Sequence, residues 1–179
     1  KDILIFKEES EAFTVGIGLS SDEKYFFITS SDHNTSEQYY FKADEIIPKP
    51  KLIDKRKRGI IYSVNSWNGN FYKHTNEDAE DFKIEKTNDL EKKEWETFIP
   101  AREEVLIGGL IFLNNWIIRS ETSNALSKLI LRNPKNDEEE EIFFSDEKVI
   151  VPGVSLTQRD RNTDTVYLSY SSPKTPGRT

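Results

Sequence analysis

Residues 60–100 read IIYSVNSWNGNFYKHTNEDAEDFKIEKTNDLEKKEWETFIP, and this stretch decides the fold that we predict. It holds short segments rich in β-branched and aromatic residues, at 60–67, 70–75, 81–87 and 95–100. Such segments favour β-strands, and the Asn-Gly-Asn that separates the first two is typical of a tight hairpin turn. Segment 88–96 has too few apolar positions to define a helix face, so we predict a charged loop that enters the last strand.

The same arrangement recurs along the chain. Second-strand segments centre on Tyr25, Phe71, Trp116 and Val166, which are separated by 46, 45 and 50 residues. Four short strands in about 40 to 50 residues are typical of one β-propeller blade. A meandering β-sandwich with a regular spacing is the alternative. We therefore predict an all-β fold, and a propeller in preference to a sandwich.

The predicted blades do not complete a ring. The period gives a lone strand at 2–8, whole blades at about 12–54, 60–100 and 105–146, and an incomplete blade at 149–171. This partial propeller of about three and a half blades falls short of the smallest closed rings. Because such an arc exposes apolar faces and strand edges at its ends, we expect another part of a parent protein, or self-association, to cover them.

Composition and charge limit the classes of partner. The 179 residues include 11 Phe, 7 Tyr and 3 Trp, which supply enough bulk for the core of one domain. A net charge of -7 disfavours nucleic acid and anionic membrane surfaces as partners. The sequence contains no cysteine, which excludes disulfides, thiolate zinc ligands and a cysteine nucleophile.

No segment of the sequence predicts membrane insertion or export. The longest apolar stretch, 105–118, is interrupted by Gly and Asn and is shorter than the roughly 20 residues of a transmembrane helix. The first residues lack the apolar core of a secretory signal, so we predict a cytoplasmic protein. Methionine is also absent, which we interpret as processing or as an interior piece of a longer chain.

Two histidines are the candidates for a catalytic base. His33 lies in a polar segment that reads as a hairpin tip, and His74 lies near the end of a strand. Neither has the neighbours that a base requires. Residues 153–157 (Gly-Val-Ser-Leu-Thr) have the first glycine of a nucleophile elbow but not the second. The sequence therefore predicts no catalytic residue within this chain.

Metal and cofactor sites are not predicted either. Asp160, Asn162 and Asp164 are spaced like the start of a calcium loop, but Thr165 stands where that loop needs glycine. We interpret them as an Asx-rich turn. No phosphate-binding glycine loop is present.

Charged runs have structural interpretations. Five consecutive carboxylates at 137–141 predict a solvated hairpin, because their mutual repulsion opposes burial. The basic residues Lys49, Lys51 and 55–58 predict a charged outer edge strand, with binding of nucleic acid or acidic peptide as the alternative. Residues 34–36 (Asn-Thr-Ser) fit the N-glycosylation pattern.

Several segments, in order and spacing, resemble a known family. They are Ile-Tyr-Ser-Val-Asn at 61–65, Asn-Phe-Tyr-Lys-His-Thr-Asn at 70–76, 78–84 and 95–106, together with Thr-Ser-Glu at 35–37 and Ser-Tyr-Ser-Ser-Pro-Lys-Thr-Pro at 169–176. The chain resembles the amino-terminal propeller of the oligopeptidase B group, in the prolyl oligopeptidase family of serine peptidases. The resemblance extends over nearly the whole chain.

This resemblance implies a seven-bladed propeller that covers the active site of an α/β-hydrolase domain and admits only short peptides. It also implies that the parent enzyme cleaves after Lys or Arg, with short basic peptides as substrates. The surroundings of the catalytic triad do not occur in this sequence. The resemblance therefore implies an inactive segment and transfers no catalytic, cofactor-binding or metal-binding residue. A free-standing protein-binding module closed by self-association is the alternative.

Overall fold

The computed structural model describes residues 2–143, 151–155 and 163–171, and every regular element over these residues is a β-strand. The predicted all-β class is confirmed. The chain divides into two compact units, Lys1–Ala101 and Arg102–Thr179. Among the described residues there is no helix with the length and apolar character of a membrane span.

The first unit contains two four-stranded antiparallel sheets, each with its strands in chain order. The first sheet consists of β1 (Thr14–Leu19), β2 (Tyr25–Ser31), β3 (Ser36–Lys42) and β4 (Lys51–Leu52). The second consists of β5 (Tyr62–Trp67), β6 (Asn70–Thr75), β7 (Lys83–Thr87) and β8 (Glu96–Ile99). The strands of the second sheet lie within the four predicted segments, and residues 88–95 form the predicted loop.

Turn residues and a shared core explain this arrangement. Asn68 (φ 49°) and Gly69 (φ 77°) both adopt the left-handed backbone that a two-residue hairpin turn between β5 and β6 requires. The two sheets of the first unit then bury apolar side chains in one core, which contains Phe27, Ile53, Tyr62, Val64, Phe71 and Leu90. The second sheet is thereby held against one face of the first.

The second unit has a four-stranded and a two-stranded antiparallel sheet. The larger consists of β9 (Leu106–Phe112), β10 (Ile117–Ser123), β11 (Leu126–Arg132) and β12 (Glu139–Glu141). The smaller pairs β13 (Val151–Ser155) with β14 (Tyr167–Ser171). Leu113, Ile118 and Leu129 form the buried core, against which Val166 and Leu168 pack.

Residues 2–10 do not form the lone strand predicted at 2–8. Side-chain contacts hold this segment instead, because the Phe6 ring lies 4.8 Å from the Tyr39 ring and Ser30 Oγ donates a hydrogen bond to Glu8 at 2.5 Å. A strand needs a partner edge for its backbone groups. The apolar run at 3–6 indicates that the segment can be extended, but not whether such an edge is available.

Strand β1 carries an exposed apolar stripe. Val15, Ile17 and Leu19 alternate along one side of β1 and are 50%, 60% and 45% exposed. Since β1 lies at the edge of its sheet, its outer backbone groups have no partner strand within that sheet. An exposed apolar face next to an open edge is a surface that proteins normally cover.

Candidate functional site

The two candidate histidines occupy different strand environments. His33 is exposed at the turn between β2 and β3. His74 lies on β6, and its ring stacks on Phe82 with centroids 4.5 Å apart and ring planes 13° apart. This contact gives His74 a packing role.

Where they are described, residues of the candidate elbow lie in a strand, and Asp164 of the candidate calcium loop bonds to the connection between β9 and β10. Gly153 and Ser155 lie in β13, so the backbone continues as a strand where an elbow would turn sharply. Asp164 accepts hydrogen bonds from the backbone and side-chain nitrogens of Asn115, at 2.7 Å and 2.8 Å. Asp160, Asn162 and residues 156–157 lie outside the described residues. Over the described ranges, no cluster of three His, Asp or Glu could hold a metal ion.

The acidic run at 137–141 lies in the predicted hairpin, formed by β11 and β12, and residues 137–140 are exposed, but part of the run has cationic partners. Glu139 lies on β12 and accepts hydrogen bonds from Arg119 at 2.6 Å and 2.7 Å and from Arg132 at 2.5 Å. Burial raises the pKa of Glu139, but the two guanidinium groups outweigh it and the pKa is lowered. The sequence shows the density of negative charge but not the arginines that approach it from β10 and β11.

The basic cluster is largely neutralised by acids from other segments. Of the basic residues predicted on an edge strand, only Lys51 lies on one, β4, whereas Lys49 and residues 55–58 lie outside the strands. Lys51 forms an ion pair with Glu91. Lys57 pairs with Glu77. The remaining exposed members are Lys49, Lys55 and Arg58. Because their neighbours are paired, the cluster does not form the continuous positive surface that nucleic acid requires.

The Thr-Ser-Glu segment at 35–37 joins the two sheets of the first unit. Thr35 Oγ1 accepts a hydrogen bond from the backbone of Gly59 at 3.2 Å. Ser36 Oγ donates to the carbonyl of Tyr62 at 2.8 Å and accepts from the Tyr62 backbone nitrogen at 2.7 Å. A single hydroxyl therefore links β3 to β5. Ser36 is also the serine of the glycosylation pattern, and it is buried.

The phenol of Tyr62 completes this inter-sheet latch, by which we mean Ser36, Gln38 and Tyr62. Tyr62 Oη donates to the carbonyl of Asp54 at 2.6 Å and accepts from the backbone nitrogens of Gln38 at 2.8 Å and Asp54 at 3.2 Å. Gln38 Oε1 accepts from the Val64 backbone nitrogen at 2.6 Å. Burial raises the pKa of the Tyr62 phenol, which keeps this hydroxyl protonated at neutral pH.

Arg56 fastens the N-terminal segment to the first sheet. Its Nη2 lies 2.6 Å from both Glu8 and Glu37, and its guanidinium lies 4.1 Å from the centre of the Phe13 ring. A hydrogen bond from Ser30, with further bonds that include Arg56, lowers the pKa of Glu8 to about 2. A carboxylate this acidic cannot exchange a proton with a substrate near neutral pH. The cluster therefore has a positioning role.

Lys73 is a buried ammonium group with two acids beside it. Its Nζ lies 2.8 Å from Glu85 and 3.6 Å from Asp54, and 4.4 Å from the centre of the Trp95 ring. Although burial raises the pKa of Glu85, hydrogen bonds from Lys73 and Lys83 lower it overall. Two carboxylates from other segments thus hold the Lys73 side chain by ion pairs, so Lys73 is suited to holding strands together.

A third buried cluster lies in the second unit. Glu121 is 1% exposed, and Arg119 Nε donates to it at 2.7 Å. Arg102 forms a second ion pair with Glu121, and Lys128 approaches it to 4.0 Å. Sequence analysis missed this cluster and the Arg56 cluster. The available signal was a charged residue within an otherwise apolar strand, as where Arg119 follows Ile117 and Ile118.

Taken together, the described polar clusters bind strands to one another. Each buried cation is matched by carboxylates, and none of these clusters joins a nucleophile to a base. Within each unit, the arrangement favours a structural role for these clusters.

Comparison with known proteins gives one consistent match. Residues 1–179 match the family described as "Prolyl oligopeptidase, N-terminal beta-propeller domain". The chain is 28% identical over 180 residues to Protease 2 of Moraxella lacunata, covering 99% of this chain and 25% of that protein. It is 28% identical over 185 residues to dipeptidyl aminopeptidase BI of Pseudoxanthomonas mexicana, covering 100% of this chain and 25% of that protein.

Solved structures give the same result as the sequence comparisons. Oligopeptidase B from Trypanosoma brucei, in its closed form with covalently bound antipain, superposes with a TM-score of 0.88 and 23% identity, over 98% of this chain and 26% of that one. Oligopeptidase B from Leishmania major gives a TM-score of 0.85 and 15% identity, over 99% and 26% of the two chains. The chain thus spans about a quarter of the length of these relatives. The match confirms the predicted partial propeller and argues against the sandwich.

Proposed function

Because this chain belongs to the family of prolyl oligopeptidase N-terminal β-propeller domains, we propose that it is the non-catalytic propeller segment of a serine oligopeptidase. In this role the propeller covers the active site of a separate α/β-hydrolase domain and limits the size of the substrate. The observation that carries the proposal is the superposition on oligopeptidase B over 98% of the chain.

The chemistry of the described residues supports a covering role. Their buried charges are paired and hold strands together, so the contribution of this segment to the parent enzyme is structural. A rigid cover around an active site admits peptides thin enough to enter and excludes folded proteins. Selectivity by size then needs no specific contact with the substrate side chains.

Cleavage after Lys or Arg is the substrate preference that we propose for the parent. The relatives named oligopeptidase B and the net charge of -7 both support it. A negatively charged cover attracts basic peptides over a distance of about 10 Å at moderate ionic strength. We therefore expect the rate at which basic peptides associate with the parent enzyme to fall as salt is added.

The test compares the 179-residue chain with its full-length parent. We expect the parent to hydrolyse an Arg or Lys ester chromogenic substrate and the isolated chain to show no turnover. Within the parent, a short Arg-containing peptide should be cleaved, whereas the same sequence inside a folded protein should resist. Turnover by the isolated chain that a serine-directed inhibitor abolishes would contradict the proposal. Cleavage by the parent only after Pro, or only release of N-terminal dipeptides, would contradict the Lys/Arg preference.

A second candidate function is a binding module that closes by self-association. The exposed stripe formed by Val15, Ile17 and Leu19 on the open edge strand β1 favours it. Sedimentation of the isolated chain at several concentrations distinguishes the two. Dimers that dissociate when Ile17 is replaced by Lys would support the module, whereas a monodisperse monomer at every concentration would exclude it.

A further inference from the structure

Two hairpin turns of the chain share a backbone conformation and differ in their second residue. The turn between β5 and β6 consists of Asn68 and Gly69, with φ angles of 49° and 77°. The turn between β10 and β11 consists of Asn124 and Ala125, with φ angles of 49° and 60°. All four residues are exposed. The chain therefore holds two asparagines in matched turns, one followed by glycine and the other by alanine.

The turn at Asn68 leaves open the two groups that react in asparagine deamidation. Among the described residues, no hydrogen bond engages the Asn68 side chain or the Gly69 backbone N–H. The side-chain nitrogen of Asn70 donates to the backbone carbonyl of Asn68, at 3.3 Å, and not to its side chain. A Cβ built at Gly69 meets no atom within 4 Å, so the space around this residue is open. The Asn68 side chain can therefore approach the Gly69 nitrogen without breaking a contact of the fold.

The reaction joins these two groups. The Gly69 backbone nitrogen loses its proton and attacks Asn68 Cγ, which forms a C–N bond and closes a five-membered succinimide ring. The amide nitrogen of the side chain takes up a proton and leaves as ammonia. A water molecule then opens the ring at either of its two carbonyls and gives aspartate or isoaspartate. Because the attack is intramolecular, it proceeds with a weak nucleophile.

We propose that Asn68 is a site of spontaneous deamidation in the folded protein, through a succinimide formed with Gly69. Glycine favours the ring closure because it has no Cβ beside the attacking nitrogen. Asn124 resists in the matched turn, because Ala125 carries a Cβ at that place. Water is the co-reactant. The product replaces a neutral amide with a carboxylate, which makes the net charge of -7 more negative by one unit.

The isoaspartate product changes the turn on which the β5–β6 hairpin depends. Trp67 and Asn70 pair directly across the two-residue turn, and Phe71 behind them belongs to the buried core of the first unit. In isoaspartate the main chain runs through the side-chain carbons and gains one atom, which disturbs the register that the turn sets. Aspartate keeps the ordinary main chain and is itself favoured before glycine in such turns. We therefore expect the isoaspartate form to be the less stable product.

The test incubates the folded 179-residue chain at mildly alkaline pH and follows each asparagine by peptide mass mapping. Deamidation adds about 1 Da, and chromatography separates the isoaspartate and aspartate peptides. Asn68 should convert at least about tenfold faster than Asn124, with isoaspartate among its products. The same measurement in urea gives the rate in the unfolded chain. The folded rate at Asn68 should lie within about a hundredfold of it, because exposed turns open at little cost in free energy.

Reciprocal substitutions locate the reaction. Gly69→Ala should slow conversion of Asn68 by about tenfold, and Ala125→Gly should speed conversion of Asn124 by about the same factor. Ala125 shows that alanine is accommodated in this backbone conformation, so Gly69→Ala is compatible with the fold. Circular dichroism of each variant checks that the strands are retained.

Four outcomes would overturn the inference. They are equal rates at Asn68 and Asn124 in the unsubstituted chain, aspartate without isoaspartate, unchanged rates in the two variants, and a folded rate more than about a hundredfold below the rate in urea. The isoaspartate form, separated by chromatography, should also unfold at a lower urea concentration than the unmodified chain. An unchanged midpoint would overturn the effect that we assign to the turn.

Discussion

Replacing Tyr62 by Phe removes one oxygen atom and tests whether the inter-sheet latch holds the first unit together. The phenol donates to the Asp54 carbonyl and accepts from two backbone nitrogens. Gln38 is buried, so its N–H is left without a partner, at a cost of about 1 to 3 kcal/mol. Asp54 is partly exposed and water replaces its bonds in part, which adds about 1 kcal/mol. We expect the free energy of unfolding to fall by about 2 to 4 kcal/mol.

Urea unfolding, followed by tryptophan fluorescence, measures this change. A Trp116→Phe background restricts the signal to Trp67 and Trp95, which both lie in the first unit. With an m-value of about 2 kcal/mol per molar urea, the midpoint should fall by about 1 to 2 M. Tyr40→Phe is the control, because no hydrogen bond engages that hydroxyl among the described residues, and it should change stability by less than about 0.5 kcal/mol. Equal effects of the two substitutions would refute the latch.

The same phenol gives an alkaline signature. Burial raises the pKa of Tyr62, so the unfolded chain releases the proton near pH 10 while the folded chain retains it. The contribution of the Tyr62 phenol to the free energy of unfolding is present below about pH 10 and is lost as the pH rises further. Tyr62→Phe should therefore reduce the loss of stability at high pH relative to the parent chain.

Three further changes have defined outcomes. Gly108→Ala places a Cβ against Ser120 Oγ and 3.0 Å from the Ser120 carbonyl oxygen, so it should destabilise the second unit by about 1 to 3 kcal/mol. The control is Gly109→Ala, whose Cβ meets nothing within 4 Å and which should leave stability unchanged. Equal effects of the two substitutions in urea unfolding would contradict this prediction. The pKa of Glu8 is lowered to about 2 from 4.5, so the contribution of Glu8 to the free energy of unfolding is present above about pH 4.5 and is lost as the pH falls toward 2. Glu8→Gln should therefore reduce the loss of stability between about pH 4.5 and about pH 2. The same pH dependence in the variant and the parent chain would count against the Arg56 cluster. Arg119→Met removes a partner of the buried Glu121 and should lower the free energy of unfolding by about 3 kcal/mol. Adding Glu121→Gln in a double-mutant cycle should restore part of this loss. Strictly additive effects of the two substitutions would show that the pair is not coupled.

Local structure followed the sequence closely. Strands β5 to β8 lie within the predicted segments because alternation and turn residues act between near neighbours, and Asn68 and Gly69 specify their own turn. The absence of Cys and the spacing around Ser155 and Thr165 also restrict the possible chemistry at the level of the sequence. The lone strand predicted at 2–8 does not form, because the sequence indicates an extended segment but does not show whether a partner strand edge is available.

Only the tertiary structure assigned partners to the polar side chains. Arg56 meets Glu8 across 48 positions, and Ser36 meets Tyr62 across 26, because the fold brings together sheet faces that are remote in sequence. The period of the strands determined which side chains share a face, but the way in which two sheets meet depends on packing of the whole core. The sequence therefore determined the strands, the turns and the family resemblance, and the packing of sheets decided which charges are buried, which are paired and which donors remain free.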